Sequence, residues 1–140
     1  MYKLLTLCML LLTFQVSAAS LAELKAQARW GNNQAAFQVA RAYHTGEGVS
    51  KDGKTAMQWY EMAAKRDDAT SQVFLGLQYA IGEVTEKNMP LAYAWFKLAE
   101  LNQHDAGAFY RNKAEQELSS EQQVQAQQLY QQLLAEVKPS

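Results

Sequence analysis

The side chains best suited to chemistry in this 140-residue sequence are two histidines, two glutamates one repeat apart and one cysteine. His44 and His104 are 60 residues apart, and neither has a carboxylate at the spacing of an H-E-x-x-H zinc site. Glu47 and Glu83 are 36 residues apart and could form a carboxylate pair only if the fold brought them together. No convergent set of nucleophile, base and oxyanion donors accompanies them. We therefore expect structural or solvated roles for all four, and predict no enzyme, no metal site and no cofactor.

The cysteine, Cys8, lies in an N-terminal segment with the order of a secretory signal peptide. Lys3 supplies the positive charge, residues 4–14 contain no charged side chain, and small residues follow at Ala18 and Ala19. A membrane anchor is the alternative, but a spanning helix needs about 20 apolar residues. The pattern predicts a signal peptide over residues 1–19, cleaved after Ala18 or Ala19. The protein would then be periplasmic or secreted, with no stable membrane anchor.

Removal of the signal segment leaves no cysteine, so disulfides, thiolate metal sites and cysteine nucleophiles are excluded for the exported chain. Taking Lys3 from the 13 basic residues leaves 12 against 14 acidic ones, a net charge near −2. This balance lacks the basic footprint of a nucleic-acid-binding protein. An exported domain of this kind must fold on its apolar core alone.

An internal repeat dominates the rest of the chain. Shifting the sequence by 36 residues without a gap superimposes identical aromatic, glycine and alanine residues in one order. The identities are Tyr43/Tyr79, Gly46/Gly82, Glu47/Glu83, Lys51/Lys87, Ala56/Ala92, Trp59/Trp95 and Ala63/Ala99. Chance rarely aligns such residues together, so we interpret the pattern as a duplication over about 34–69 and 70–105.

Each copy has the pattern of a helical hairpin. Gly46 and Gly82 can adopt the left-handed conformation that closes a first helix. Asp52 and Asn88 are placed to cap the N-terminus of the second helix, and Pro90 would lie in that helix's first turn, where its missing N–H costs little. The stripe Ala56, Trp59, Tyr60 and Ala63 follows the i, i+3, i+4, i+7 spacing of a buried helix face.

The flanking segments fit the same period. Residues 20–31 have the pattern of an N-terminal half-repeat that ends at a glycine, and residues 105–118 resemble a first helix that diverges after Phe109. Ser119 and Gln122 have the spacing of a capping box, which predicts a C-terminal capping helix over 120–137. The domain over 20–137 is therefore predicted to be all-α, with about seven antiparallel helices.

These residues resemble the Sel-one-like repeat, a relative of the tetratricopeptide repeat. The first copy matches its pattern at Ala36, Val39-Ala40, Tyr43, Gly46, Gly48-Val49, Asp52, Thr55-Ala56, Trp59-Tyr60 and Ala63-Ala64. The second copy departs at Val84-Thr85, where Gly-Val is expected, at Asn88 and at Glu100. The resemblance implies a right-handed α/α superhelix, a solenoid used as a protein-interaction scaffold. The departures put the turn geometry of copy two in question more than its fold.

The resemblance also implies where a partner binds. In such solenoids the first helix of each hairpin lines the concave face, and positions that vary between repeats contact partners. Copy one has Gln38, Arg41, Ala42 and Thr45 where copy two has Phe74, Leu77, Gln78 and Ile81. We predict that a protein or peptide partner contacts Gln38, Arg41, Phe74, Leu77, Gln78 and Ile81. The alternative is that the first helix of copy two is buried on more sides than its neighbours.

Three functions remain open from the sequence. The preferred hypothesis is an exported adaptor of the bacterial cell envelope that binds a protein or peptide on its concave face. The second is an envelope hydrolase of the β-lactam or peptidoglycan type, although the relatives linked to β-lactam hydrolysis depend on disulfides that this chain lacks. The third is a self-associating structural module, because so short a solenoid leaves apolar ends.

Overall fold

The computed structural model describes residues 18–137, and this part of the chain forms seven helices and no strand. Residues 1–17, with Cys8 and most of the predicted signal segment, lie outside the described part, so the signal peptide stays a prediction. The helices are α1 (Ala18–Arg29), α2 (Asn33–Thr45), α3 (Gly53–Ala64), α4 (Ala69–Ile81), α5 (Met89–Leu101), α6 (Asp105–Glu117) and α7 (Ser120–Glu136). Across residues 18–137, no helix combines the length and apolar character needed to cross a membrane.

The predicted hairpins are confirmed, and their turns share the glycine cap and the closing hydrogen bond, although Gly48 has a positive φ of 72° and its counterpart Val84 does not. Gly46 and Gly82 end α2 and α4 with φ of 78° and 76°, as expected for left-handed helix caps. The Asp52 amide donates to the Tyr43 carbonyl at 2.9 Å, and the Asn88 amide donates to the Tyr79 carbonyl at 2.8 Å. The Val84-Thr85 departure in copy two therefore leaves the closure of its turn unchanged.

Helix starts are fixed by side-chain caps, as the sequence predicted. The Asp52 carboxylate accepts from the Thr55 amide at 3.1 Å, and the Asn88 side chain accepts from the Leu91 amide at 3.0 Å. The Ser119 hydroxyl accepts from the Gln122 amide at 3.2 Å while the Gln122 side chain accepts from the Ser119 amide at 3.0 Å, which completes the capping box. These bonds satisfy amides that have no partner inside the helix.

The turns between hairpins share another feature, a residue with positive φ directly before the N-cap of the next helix. Gly31, Asp67 and Gln103, each 36 residues apart, all have positive φ, of 101°, 68° and 59°. The residue that follows each of them caps the next helix: Asn32, Asp68 and His104. A left-handed residue before an N-cap turns the chain so that successive first helices lie side by side.

Aromatic pairs join one hairpin to the next. The ring of Tyr60 on α3 stacks on Phe74 of α4 with centroids 5.1 Å apart. One repeat later, Phe96 on α5 stacks on Tyr110 of α6 with centroids 5.3 Å apart. A Cβ on Gly76 would lie 2.4 Å from the Phe96 ring, so α4 and α5 approach closely at this glycine. The repeat thus propagates through α6, one helix beyond the second full copy.

Helix α5 is the centre of the domain, and α7 covers it. Eight residues of α5 are buried: Pro90, Ala92, Tyr93, Ala94, Trp95, Phe96, Leu98 and Ala99. The α7 side chain of Gln127 donates to the Tyr93 hydroxyl at 3.0 Å, and Lys97 of α5 lies over the Tyr130 ring of α7 at 4.5 Å. The C-terminal helix therefore packs along α5 rather than pairing with α6, its neighbour in sequence. The all-α solenoid predicted from the sequence is confirmed.

Candidate functional site

The first helices of the three successive units, α2, α4 and α6, present one set of register positions on the open face of the solenoid. Because these positions are 36 residues apart, each falls on the same side of its own helix. Three rows result: Gln38, Phe74 and Tyr110; Arg41, Leu77 and Lys113; Thr45, Ile81 and Glu117. The α2 members are all exposed, whereas Phe74, Leu77 and Tyr110 are partly buried. The rows make this face, which the family resemblance implies is the concave one, polar on α2 and apolar on α4.

A groove of about 320 Å³ opens between α4 and α6. Leu77 and Ile81 form one wall, Tyr110 and Ala114 form the other, and Phe96 of α5 lies at the floor. Ile81 is 63% exposed at the rim, an unusual exposure for so large an apolar side chain. The volume is at the lower end of the range of about 300–1,000 Å³ that is typical of ligand pockets. The groove therefore has room for side chains of a partner rather than for a folded element.

One groove position has a smaller residue in copy two than in copy one. Ala80 lines the groove with Phe96, and its counterpart one repeat earlier is His44. The His44 ring lies edge-on to Tyr60, the counterpart of Phe96, with centroids 6.4 Å apart. The alanine methyl therefore takes up less space beside the aromatic ring than the imidazole does.

The structure separates the predicted contact residues into accessible and buried ones. Gln38, Arg41 and Ile81 are exposed and Leu77 is half-buried in the groove wall. The remaining two candidates are less accessible: Gln78 is buried and Phe74 is partly buried.

Gln78 is a correction to the predicted surface. Its side chain is only 6% exposed, and its Oε1 has no hydrogen-bond partner among the described residues. The position faces inward in both copies, because its counterpart Ala42 is also buried. The difference between alanine and glutamine suggested a variable contact position, but it is a difference inside the core.

Phe74 belongs to an aromatic cluster more than to an open surface. Besides stacking on Tyr60, its ring meets Phe37 edge-on with centroids 5.4 Å apart. Burial in this cluster raises the pKa of Tyr60 to about 12, because the phenolate would lose its hydration. For Phe74, the burial alternative left open by the sequence is therefore partly correct, whereas Leu77 and Ile81 remain accessible.

Charged side chains surround the groove with an excess of cations. Lys87 faces Glu117 at 4.0 Å across the groove, the outer limit of an ion pair. Lys113 lines the same groove, and within residues 18–137 it makes no ion pair or hydrogen bond. Arg41, at the matching position of α2, has one ion pair, with Glu47 at 3.7 Å. Exposed pairs of this length contribute little, so these cations remain available to a ligand.

The side chains considered for chemistry are not brought together. The His104 Nδ1 accepts from the Ala106 amide at 3.3 Å and caps α6, while His44 packs against an aromatic ring. Glu47 pairs with Arg41, whereas Glu83 is exposed in its turn. Among residues 18–137, no group of three or more His, Cys, Asp or Glu side chains could hold a metal ion.

A second, more polar cleft separates α6 from α7. Its volume is about 220 Å³, and Tyr93, Glu115, Gln123 and Val124 contribute to its lining. The cleft follows from the packing of α7 along α5, because the two-residue turn after α6 leaves the last two helices splayed apart. Its mixed polar lining is less suited to hold apolar side chains than the groove between α4 and α6.

Residues of α6 belong to the groove although they were not among the predicted contacts. Tyr110 and Lys113 continue the rows of Phe74 and Leu77 at the next interval of 36 residues. The sequence contained this signal, but few identities remain in α6 after Phe109, so the register was not extended into it. Met89 and Phe96 of α5 also line the groove, and Phe96 is the counterpart of Tyr60 in the buried stripe of copy one.

The fold and its concave groove define an α/α solenoid repeat protein. The family model of the Sel1 repeat matches residues 33–68 and 69–104, and the chain belongs to this family. The matched repeats begin one residue before the boundaries expected from the sequence period. The Sel1 repeat fold is typical of protein-interaction scaffolds, which fits a concave face with a groove and no assembled catalytic group in the part of the chain described.

Solved structures resemble the chain over most of its length. One is c5321, a protective antigen present in uropathogenic Escherichia coli strains that displays an SLR fold; it is 32% identical, with a TM-score of 0.78. The match covers 84% of this chain and 26% of c5321, so the chain spans about a quarter of that protein. A Sel1 repeat protein from Oxalobacter formigenes is 26% identical, with a TM-score of 0.66 and coverage of 84% and 90%. No curated protein sequence matches the chain significantly.

Proposed function

We propose that this protein is an exported interaction scaffold of the bacterial cell envelope that binds a segment of another protein on its concave face. The observation that supports this most is the groove between α4 and α6. It is lined by apolar side chains on the face that the repeat leaves open, and exposed cations lie at its rim. A contiguous apolar patch with a polar rim is typical of interaction sites.

Export is supported by the N-terminal sequence. The charge-free run over residues 4–14 is followed by small residues at the predicted cleavage points. Cleavage after Ala18 or Ala19 would remove the apolar run and at most the first two residues of α1.

The scaffold hypothesis is tested by changing one groove residue whose side chain is not part of the buried core. Leu77→Ser removes apolar surface from the groove wall and leaves the aromatic cluster of Phe74 intact. We expect normal helical circular dichroism and loss of partner proteins that co-purify with a C-terminally tagged chain from the envelope fraction of the source organism. The matched control is Leu134→Ser, because Leu134 is 39% exposed on α7, away from the groove.

Two results would contradict the proposal. Co-purification that is unchanged by Leu77→Ser and lost with Leu134→Ser would place binding on the α7 side. A tagged chain found only in the cytoplasm with residues 1–19 still attached would contradict export. Hydrolase function is a separate outcome: turnover of a β-lactam or peptidoglycan substrate by the purified chain would replace the scaffold hypothesis.

A further inference from the structure

The middle row of the concave face has a cationic side chain on either side of an apolar one, which neither outer row has. Arg41 on α2, Leu77 on α4 and Lys113 on α6 occupy one register position, 36 residues apart. An exposed cation therefore lies on each side of the central apolar residue. A ligand that crosses the three helices would meet a cationic side chain, then an apolar side chain and then a second cationic side chain.

The two cations of this row are exposed and can bind carboxylates of a ligand. Lys113 has no ion pair or hydrogen bond within the described residues, and the ion pair of Arg41 with Glu47, at 3.7 Å, is exposed. The one acidic side chain on the groove wall, Glu117, faces Lys87. The groove walls thus have two ammonium groups against one carboxylate, on a chain whose formal net charge is −1. An acidic ligand complements this local excess of positive charge.

The spacing of the helices sets the length of the ligand. Packed helices lie roughly 8–10 Å apart, so the outer cations of three successive helices are separated by roughly 16–20 Å. An extended chain in the polyproline II conformation rises about 3.1 Å per residue and crosses this distance in about five or six residues. Its three residues per turn place side chains that are three positions apart on the same face. Carboxylates that reach both cations would then lie about three residues to either side of the apolar residue in the groove.

We propose that the concave face binds an extended internal segment with an acidic–apolar–acidic pattern. Its large apolar side chain enters the groove beside Leu77, and its two acidic side chains meet Arg41 and Lys113. An internal segment is favoured over a chain terminus because the cations lie on both sides of the groove. The inference rests on the proposed scaffold function and specifies the chemistry of its partner.

A designed peptide tests the pattern directly. The probe is an acetylated and amidated nonapeptide with phenylalanine at its centre, aspartate three residues before and after it, and glycine or serine elsewhere. It is titrated into the ¹⁵N-labelled full chain, and we expect shifts of the Leu77, Ala80 and Ala114 amides. Replacing both aspartates by asparagine should weaken binding about fivefold or more, and replacing them by lysine should abolish it. Replacing phenylalanine by serine should also abolish binding, and the affinity should fall as salt is added.

Charge inversion on the protein identifies the cations. Lys113→Glu and Arg41→Glu should each lower the affinity for the aspartate peptide about tenfold. The variant with both substitutions should bind the lysine peptide more tightly than the aspartate peptide. Lys54→Glu is the matched control, because this exposed lysine at the start of α3 makes the same change in net charge outside the row. The control should leave the affinity unchanged.

The outcomes separate this inference from the scaffold function. Equal binding of the aspartate, asparagine and lysine peptides would overturn the charge pattern, although the groove would remain a binding site. If no peptide shifts the groove amides, the acidic–apolar–acidic ligand is wrong. The Leu77→Ser co-purification would then decide independently whether the concave face binds any partner.

Discussion

At the scale of single residues, the turns between hairpins contain a backbone conformation that suits only one of the three residues found there. Gly31 adopts positive φ at little cost, but Asp67 and Gln103 have side chains in the same left-handed region. At Asp67 the cost of the left-handed conformation is offset, because the carboxylate accepts hydrogen bonds from the side chains of Asn102 and Gln72. The Gln103 side chain is exposed and makes no such bond among the described residues.

Gln103→Gly should therefore raise the free energy of unfolding by about 0.5–1 kcal/mol, because it relieves the left-handed strain and removes no contact. Asp67→Gly is the matched control and should lower the free energy of unfolding by up to about 1 kcal/mol, since the relief of strain is outweighed by the loss of the hydrogen bonds from Asn102 and Gln72, each of which keeps one other acceptor. Urea unfolding followed by circular dichroism measures both changes. Equal stabilisation by the two variants would contradict the role assigned to Asp67.

The role of a single residue was predictable from the sequence where its type favours one backbone conformation or one capping position. Gly46 and Gly82 were identified as left-handed caps, and Asp52, Asn88 and Ser119 as N-caps, because few other residues perform these roles well. Asp67 and Gln103 were not identified, since polar residues in the left-handed region have no distinctive pattern. Predicting which repeat-variable positions are buried also requires the neighbouring helix, as Gln78 shows.

At the scale of helices, the close approach of α4 and α5 depends on the absence of a side chain. A Cβ at position 76 would lie 2.4 Å from Cε1 and 2.6 Å from Cδ1 of the Phe96 ring. Contacts this short require the ring or the helices to move. The ring also stacks on Tyr110, so a shift would disturb the contact between α5 and α6.

Gly76→Ala thus sets two effects against each other. Helix propensity alone favours alanine by about 1 kcal/mol, whereas overpacking of a filled core costs about 1–3 kcal/mol. We expect a net loss of about 1 kcal/mol of stability, measured by thermal or urea unfolding. The matched control is Ala40→Gly in copy one, which should also destabilise by about 1 kcal/mol, through propensity. Stabilisation by Gly76→Ala would contradict this expectation, because it would show that the Phe96 ring can move aside without a loss of stability.

Helix packing was predictable in part. The hairpins follow from short turns, which force consecutive helices to lie antiparallel. The apolar stripe of the last segment predicted a capping helix, and α7 is confirmed over Ser120–Glu136. A stripe shows that one face is buried but not against which partner, so the packing of α7 along α5 and the splayed cleft beside α6 required the structure.

At the scale of the whole molecule, the solenoid is closed at its C-terminal end and open on its concave face. In the earlier units Gly76 and His44 face the second helix of their own hairpin. The matching positions of α6 have exposed polar residues, Asn112 and Gln116, which suit a terminal unit whose following helix packs elsewhere. The concave face has no such substitution at Leu77 and Ile81, so the groove remains an accessible apolar feature between repeats.

The central claim, that a partner binds in the groove between α4 and α6, is tested most directly by site-specific photo-cross-linking. A photoreactive amino acid is introduced at Leu77, and separately at Leu134 on α7, in the full chain produced in the source organism. We predict a discrete cross-linked partner from position 77 and none from position 134. Cross-links from position 134 alone, or equal cross-links from both positions, would contradict the account.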